Sequence, residues 1–174
     1  MNIYPDYSVR QLAIADASSV QDLCERCSDF FLLTEGQPAD EHAGREILCG
    51  LPPGKHIDDK FVLGVFDNTK MLIAVIELIR DYKIPGEWTL GLLLLDKQHR
   101  EAGLGGQLHE FTKTFITQKG GHTIRLGVVE ENKKALGFWQ KMGYTETEQT
   151  SVCYGRKTHI LHYMQTPCNS TQRL

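Results

Sequence analysis

Residues 100–106 have the types and spacing expected of a site that binds an anion. They read Arg-Glu-Ala-Gly-Leu-Gly-Gly and lie between an apolar run at 92–95 and an amphipathic segment that reaches about residue 119. A strand, a glycine turn and a helix in this order direct several backbone N–H groups at one point, because glycine allows close approach and the first helical turn leaves its amides unpaired. The helix dipole also favours negative charge, so the sequence predicts a pyrophosphate site.

A tight connection between a strand and a helix is the alternative interpretation of this glycine turn taken alone. Two nucleotide motifs are excluded, because no G-x-x-x-x-G-K-[ST] occurs and the glycines at 103–106 lack the spacing of G-x-G-x-x-G. What remains is R-x-x-G-x-G, with Arg100 where a phosphate needs a cation.

This pattern resembles the acetyl-CoA signature of the GNAT N-acyltransferase superfamily, [QR]-x-x-G-x-[GA]. A second block resembles the family's later strand and short helix, with Asn-x-x-Ala at 132–135, then Phe138, and Gly-Tyr at 143–144. The two blocks cover about residues 88–146 and stand in the family's order and separation. The resemblance implies an α/β fold with a mixed, mostly antiparallel central sheet, flanked by helices, in which one parallel pair of strands splays apart.

The resemblance also implies acetyl-CoA as the cofactor. Backbone amides at 100–106 would hold the pyrophosphate, the backbone at 93–95 would pair with the pantetheine arm like an added strand, and Asn132 would hydrogen-bond the pantetheine or its bound water. The side chains at 135 and 138 would pack near the cofactor. The expected cofactor-binding residues are Leu93, Leu94, Leu95, Arg100, Glu101, Ala102, Gly103, Leu104, Gly105, Gly106, Asn132, Ala135, Phe138 and Trp139.

The activity implied is the transfer of an acetyl group to a primary amine of a small molecule or protein, by direct attack in a ternary complex. Such a reaction needs a base for the amine, a donor for the developing oxyanion and a way to protonate the thiolate. By resemblance, the Leu95 N–H is the oxyanion donor. The base is Glu77, in an otherwise apolar run, or Glu87 at the start of the strand that leads to the site; each is alternatively a solvated carboxylate.

Trp139 departs from the family pattern, because many relatives carry a tyrosine at this position whose phenol protonates the thiolate. An indole N–H cannot replace that acid. Three alternatives stay open: the thiolate leaves with help from backbone and solvent, another phenol at Tyr144 or Tyr154 reaches the sulfur, or turnover is slow or absent. The last alternative describes a non-catalytic acyl-CoA-binding sensor or an interaction module.

Two further features concern the cofactor's charge and the acceptor. Glu101 is a carboxylate beside the expected phosphates, which is repulsive unless its side chain faces solvent. The acceptor is expected over the first two helices and the loop at 34–38, where Phe30, Phe31 and Glu35 could line it. The alternative places both aromatic side chains in the core and Glu35 on the surface.

Composition supports one domain over residues 1–174 with a flexible tail at 166–174. A net charge of −3 gives no basic footprint for nucleic acid, and no apolar run approaches the roughly 20 residues that span a membrane. The N-terminus lacks a signal-peptide pattern, so we expect a cytoplasmic location. We also expect acetyl-CoA and an amine as partners and a monomer or homodimer as the oligomeric state. Cys24 and Cys27, three apart, are expected to be buried thiols, and no metal site is expected from the spacing of the histidines and cysteines.

Hydrophobic periodicity and turn residues predict the elements. Strands are expected at 7–14, 60–66, 71–79, 87–95, 123–129, 145–152 and 158–165, and helices from about 18 to 31, 39 to 49, 104 to 119 and 133 to 142. The early strands form an antiparallel meander. The helix after the glycine turn crosses over, which makes the strands at 87–95 and 123–129 parallel neighbours.

Overall fold

The computed structural model describes residues 2–4 and 6–168. Within these ranges the chain forms eight strands: β1 Asn2–Tyr4, β2 Tyr7–Gln11, β3 Lys60–Phe66, β4 Leu72–Ile79, β5 Glu87–Leu95, β6 Thr123–Val129, β7 Thr145–Tyr154 and β8 Lys157–Pro167. The same part of the chain forms five α-helices: α1 Ala17–Arg26, α2 Ser28–Thr34, α3 Ala43–Cys49, α4 Leu104–Gln118 and α5 Lys133–Lys141.

All eight described strands belong to one sheet with the order β1-β2-β3-β4-β5-β6-β8-β7. Every neighbouring pair is antiparallel except β5 and β6, which are parallel. Helix α4 makes the crossover between those two strands, as parallel pairing requires. The mixed, mostly antiparallel sheet with a single parallel pair confirms the predicted fold class.

Apolar side chains on the two faces of the sheet form two clusters. The α4 face contains Trp88 from β5, Ile124 from β6 and Leu108 from α4. The opposite face packs against α1, α2 and α3 through residues such as Leu23, Phe31 and Leu48. The sheet is therefore covered by helices on both faces, which explains the unbroken apolar run in β5.

Most predicted boundaries agree with the observed ones, and the differences are local. β3, β5 and β6 have the predicted bounds, whereas β1 was missed and β2 ends earlier. The predicted first helix divides into α1 and α2, because Cys27 leaves helical geometry (φ −98°, ψ 28°). The expected tail was wrong at its start: β8 continues to Pro167, and the Cys168 N–H donates to the His122 carbonyl at 2.9 Å. Residues 169–174 lie outside the described residues.

The cysteines of the described chain are free thiols, and Cys24 and Cys27 are fully buried, as predicted. Burial raises the pKa of the Cys24 thiol to about 12, so it is inert at neutral pH. No cluster of metal-ligating side chains is found within the described ranges. Among the helices described, none is long and apolar enough to cross a membrane.

Candidate active site

The parallel strands β5 and β6 are paired only over their first residues. Glu87, Trp88 and Thr89 pair with residues 123–125, and no pairing is recorded between the remainders of the two strands in the described structure. The C-terminal half of β5 therefore presents an open edge toward β6. This gap corresponds to the splay that the family resemblance implies.

The backbone of β5 alternates between its two edges. The Asp96 N–H donates to the Ile73 carbonyl of β4 at 2.9 Å. Because successive residues of a strand point to opposite edges, the N–H groups of Leu93 and Leu95 lie on the gap side, and that of Leu94 lies on the β4 side. Leu93 and Leu95 can therefore donate to a ligand in the gap, whereas Leu94 contributes its buried side chain to the core.

The Leu95 carbonyl is already used by the protein. The Arg100 guanidinium donates to it at 2.8 Å, and the Cys27 thiol donates at 3.5 Å. Arg100 also forms a two-pronged ion pair with Asp29, at 2.6 and 3.4 Å. Burial acts to lower the pKa of Arg100, but the Asp29 carboxylate outweighs this and raises it. Arg100 thus connects the end of β5 to α2. Its guanidinium is paired with Asp29, although the sequence indicated a phosphate as its partner.

The loop between β5 and α4 has the backbone shape of an anion site. Glu101 and Gly103 both have positive φ, 65° and 82°. No acceptor for the amides at 101–106 is recorded in the described part of the chain, and Gln107 makes the first helical bond of α4. Successive N–H groups in such alternating conformations form concave anion-binding surfaces, and the α4 dipole adds to them. The Glu101 carboxylate points to solvent, 3.4 Å from the exposed Lys134 ammonium.

Helix α5 lies beside this loop and has a capped N-terminus. The Asn132 side-chain oxygen accepts from the Ala135 N–H at 3.1 Å, so the Asn-x-x-Ala pattern is in part a helix cap. Its amide nitrogen is left to donate to another group. Phe138 packs on the first turn of α4, where a Cβ at Gly105 would lie 3.4 Å from the ring.

Trp139 and Tyr144 belong to an aromatic cluster beneath α4. The Trp139 ring contacts Tyr144 at 5.1 Å and His109 at 5.8 Å between ring centroids. Tyr144 is 3% exposed, burial raises its pKa, and its hydroxyl has no hydrogen-bond partner among the described residues. Tyr144 is therefore a core residue, and the structure argues against its predicted role as a catalytic acid.

A cavity of about 170 Å³ lies at the base of the gap. Thr89 and Arg125 line the cavity. Their strand neighbours, Trp88 and Ile124, pack on the α4 face of the sheet. Because side chains alternate along a strand, the cavity opens on the opposite face of the sheet. Tyr82, Lys83, Tyr154 and Tyr163 complete the part of the lining that bears polar groups. Burial raises the pKa of Tyr154, so its phenol keeps its proton at neutral pH. Sequence reasoning missed Arg125, Tyr163 and Tyr82. The only signal for the first two was the alternation within β6 and β8, and Tyr82, in the turn between β4 and β5, had none.

The two candidate bases lie at different places. Glu77 faces Leu92 across a β-bulge that leaves Gly91 as the extra residue of β5. A Cβ at Gly91, which lines the cavity, would lie only 3.2 Å from Glu77 Oε2, while Glu77 Oε1 accepts from Lys60 Nζ at 2.5 Å. Glu87 instead lies at the paired end of β5, buried and opposite Thr123, eight residues from Leu95. Neither carboxylate is among the described lining residues of the cavity, but Glu77 lies next to one of them, Gly91, whereas Glu87 does not.

Helix α2 spans the gap on the cavity side. Its start contacts the end of β5 through Cys27 and Leu95, and its last carbonyl, at Thr34, accepts from His159 of β8 at 2.7 Å. Lys157 donates to the carbonyls of residues 32 and 33, at 3.2 and 2.9 Å. The expected acceptor-lining residues at 30, 31 and 35 lie on or next to this helix, where Phe31 is a core residue. Burial, with the nearby Asp40, raises the pKa of Glu35.

Together, a split parallel pair, a loop of unpaired amides and a helix across the gap define a cleft suited to an extended ligand with an anionic end. The chain matches the acetyltransferase (GNAT) family over residues 21–144, more than two thirds of its length, and so belongs to this family of acetyl-CoA-dependent acyltransferases. No curated protein matches it in sequence.

Solved structures with the same fold include three acetyltransferases. An enzyme from Thermus thermophilus has a TM-score of 0.73 at 21% identity, covering 96% of this chain and 99% of its own. A spermidine N-acetyltransferase from Vibrio cholerae, crystallised with CoA and spermine, has a TM-score of 0.71 at 21% identity, covering 94% and 96%. The Escherichia coli ribosomal-protein-S18-alanine N-acetyltransferase has a TM-score of 0.69 at 16% identity, covering 97% and 98%. At these identities the likeness concerns the fold.

Proposed function

We propose that this chain is an N-acetyltransferase that moves the acetyl group of acetyl-CoA to a primary amine by direct attack in a ternary complex. The observation that carries the proposal is the presence of two groups of backbone donors without recorded partners, the amides at 101–106 and the gap-facing amides of Leu95 and Leu93. Amides of this kind fit a diphosphate at the α4 N-terminus and the amide groups of an extended arm along β5.

The thioester would lie deep in the gap, because an arm held at the α4 N-terminus passes Leu95 before it reaches Leu93. The N–H of Leu95, or that of Leu93 beyond it, would stabilise negative charge on the thioester oxygen. Asn132 would donate its free amide to the arm, while Ala135 and Phe138 pack beside it. The side chain of Arg100 would act indirectly by holding the loop, since it already binds Asp29 and the Leu95 carbonyl.

The acceptor amine would enter the cavity at the base of the gap. Glu77 is the carboxylate placed to receive its proton, directly or through water, because one of its oxygens faces Gly91. Tyr154 is the phenol placed to protonate the departing thiolate, because it lines the same cavity and remains neutral. Trp139 would then be a packing residue. The Tyr154 phenol of β7 would take the role that the family's tyrosine has at position 139.

The test compares two glycines with nearly the same positive φ. Gly103 and Gly120 have φ values of 82° and 83°, and a Cβ at either position meets nothing within 4 Å. Gly103→Glu puts a carboxylate at the proposed diphosphate position, whereas Gly120→Glu imposes the same backbone strain at the other end of α4. We expect calorimetry to show CoA binding to the wild type and to Gly120→Glu, and loss of binding in Gly103→Glu.

Activity is measured on the same proteins as thiol release from acetyl-CoA with a broad panel of amines. Transfer by the wild type and by Gly120→Glu, but not by Gly103→Glu, is the expected result. CoA binding without transfer to any amine would favour the alternative function, a non-catalytic acyl-CoA sensor. Equal CoA affinity of Gly103→Glu and Gly120→Glu would contradict the assignment of the diphosphate to the N-terminus of α4.

A further inference from the structure

Two buried polar atoms at the base of the gap have no hydrogen-bond partner in the described chain: Thr89 Oγ1 and Arg125 Nε. The two residues face each other across the last paired position of β5 and β6. Both line the 170 Å³ cavity. Buried polar atoms in folded proteins are nearly always hydrogen-bonded, so this pair indicates a polar ligand group between them.

The guanidinium of Arg125 is held in place before any ligand arrives. One nitrogen, Nη2, contacts a Glu148 oxygen at 2.9 Å, and the group lies over the Tyr163 ring at 4.1 Å from its centroid. A guanidinium has five N–H donors, so Nε and the second terminal nitrogen stay available. A fixed fork of donors beside a hydroxyl is suited to the two oxygens of a carboxylate.

The charges around the cavity favour an anion. Arg125 and Lys83 line it, and the Lys83 ammonium lies over the Tyr82 ring at 4.7 Å. No carboxylate occurs among its described lining residues, and the nearby Glu148 is already paired with Arg125. A polycationic acceptor would therefore meet two like charges and no carboxylate among the described lining residues.

The position of the proposed base fixes where the amine must lie. Gly91, beside Glu77, is two residues beyond Thr89 along β5, a distance of about 7 Å in a strand. The cavity is smaller than the roughly 300–1,000 Å³ typical of sites for drug-sized ligands. One small molecule must therefore carry both an amine near Gly91 and its other polar group near Arg125.

We propose that the acceptor is a small amine that also carries a carboxylate, of the amino-acid class, with the carboxylate bound by Arg125 and Thr89 and the remainder packed against Tyr82, Tyr154 and Tyr163. This proposal rests on the proposed acetyltransferase function and adds the substrate class to it. The carboxylate sets the orientation, and the amine is directed along β5 toward the thioester.

Matched acceptors test the class. Transfer rates are measured with glycine, β-alanine, 4-aminobutyrate, phenylalanine and tyrosine, each beside its carboxamide, and with spermidine. A charge-assisted pair is worth about 1.5–3 kcal/mol, so we expect kcat/KM for the best carboxylate acceptor to exceed that of its carboxamide by at least about tenfold. A preference for the carboxamides or for spermidine would overturn the substrate class while leaving the acetyltransferase function intact. Absence of transfer to every amine would overturn the function itself.

Two variants locate the carboxylate. Arg125→Gln and Thr89→Val should each raise KM for the carboxylate acceptor and leave KM for its carboxamide unchanged. Arg10→Gln is the matched control, because Arg10 also pairs with a carboxylate, Asp16, at 2.7 Å and lies over an aromatic ring, Phe66, but is remote from the cavity. Thr89→Val removes one unpartnered oxygen and keeps the shape, so it remains informative if Arg125→Gln fails to fold. Unchanged discrimination in Thr89→Val and in a folded Arg125→Gln would refute the assignment.

Discussion

Glu77 is an acidic side chain in an otherwise apolar strand, and its two oxygens have different surroundings. One accepts from Lys60, whose side chain is 1% exposed, and the other faces Gly91 at the bulge. Lys60 also donates to the Gly50 carbonyl at 2.6 Å, so the ion pair connects Glu77 to the residue that follows α3. The carboxylate therefore has a structural partner at one oxygen, while its other oxygen lies beside Gly91, a lining residue of the cavity.

Glu77→Gln separates these two roles. We expect kcat to fall by about 10²-fold through loss of the base, with the Kd for CoA unchanged. Stability should fall by about 3 kcal/mol, because the buried Lys60 loses its counter-charge. The double variant Lys60→Met with Glu77→Gln should regain stability in urea unfolding but not kcat. If the double variant regains kcat as well, Glu77 is a structural residue only.

The two tyrosines that the sequence offers as acids also differ in environment. Tyr154→Phe is expected to lower kcat by about 10²-fold, because a neutral phenol at the cavity is lost. Tyr144→Phe is expected to keep kcat and to raise the free energy of unfolding by about 1 kcal/mol, because it removes a buried hydroxyl without a partner. Steady-state kinetics and urea unfolding of both variants provide the check. The reverse pattern of kcat effects would restore Tyr144 as the acid.

At the scale of elements, the loop between β5 and α4 combines a favourable shape with an unfavourable residue. Glu101 has a φ of 65°, which costs a non-glycine residue about 1 kcal/mol or more. The contact of its carboxylate with Lys134 is exposed to water, so it offsets little of this free-energy cost. Its negative charge lies beside the proposed diphosphate. The backbone of Glu101 therefore lowers the stability of the loop, and its charge lowers the affinity for the anion.

Glu101→Gly is therefore expected to raise the free energy of unfolding by about 1 kcal/mol and to lower the Kd for CoA. Lys70→Gly is the control, since Lys70 has a φ of 66° in the turn between β3 and β4 and should gain stability without a change in CoA affinity. Chemical unfolding and calorimetry measure the two effects. Equal CoA affinity of Glu101→Gly and the wild type would mean that this carboxylate does not reach the phosphates.

The sequence predicts elements whose causes are local and misses contacts whose causes are distant. The bounds of β5 and β6 follow from apolar runs between turn residues, and the α4 start follows from Gly103. The break at Cys27 was not predictable in this way, because the residues that hold α2 across the gap come from β5 and β8. Arg125 was missed for the same reason: its neighbours in the cavity lie on four different segments.

At the scale of the whole molecule, the sheet is continuous except where β5 and β6 separate. β6 is paired with β8 along its whole length on the far edge, whereas the facing edges of β5 and β6 are paired only at residues 87–89 and 123–125. α1 and α2 hold the end of β5. Arg26 of α1 contacts Asp96 at 2.5 Å, and Asp29 of α2 pairs with Arg100, which donates to the Leu95 carbonyl. Burial opposes ionisation of Asp96, but Arg26 and the Gln98 N–H outweigh it and lower the pKa. The gap is thus a rigid feature, and a ligand in it would supply the missing strand.

Amide hydrogen exchange tests this view of the sheet residue by residue. Without ligand, the N–H groups of Leu93 and Leu95 should exchange faster than that of Leu94, which lies on the β4 side. Saturating CoA should slow exchange at Leu93 and Leu95 and leave Leu94 unchanged, because only the gap-facing donors gain acceptors. Gly103→Glu should abolish that protection, and Gly120→Glu should retain it. Uniform slowing across all three amides would indicate general stabilisation of the fold, and the pairing of the ligand with β5 would then be wrong.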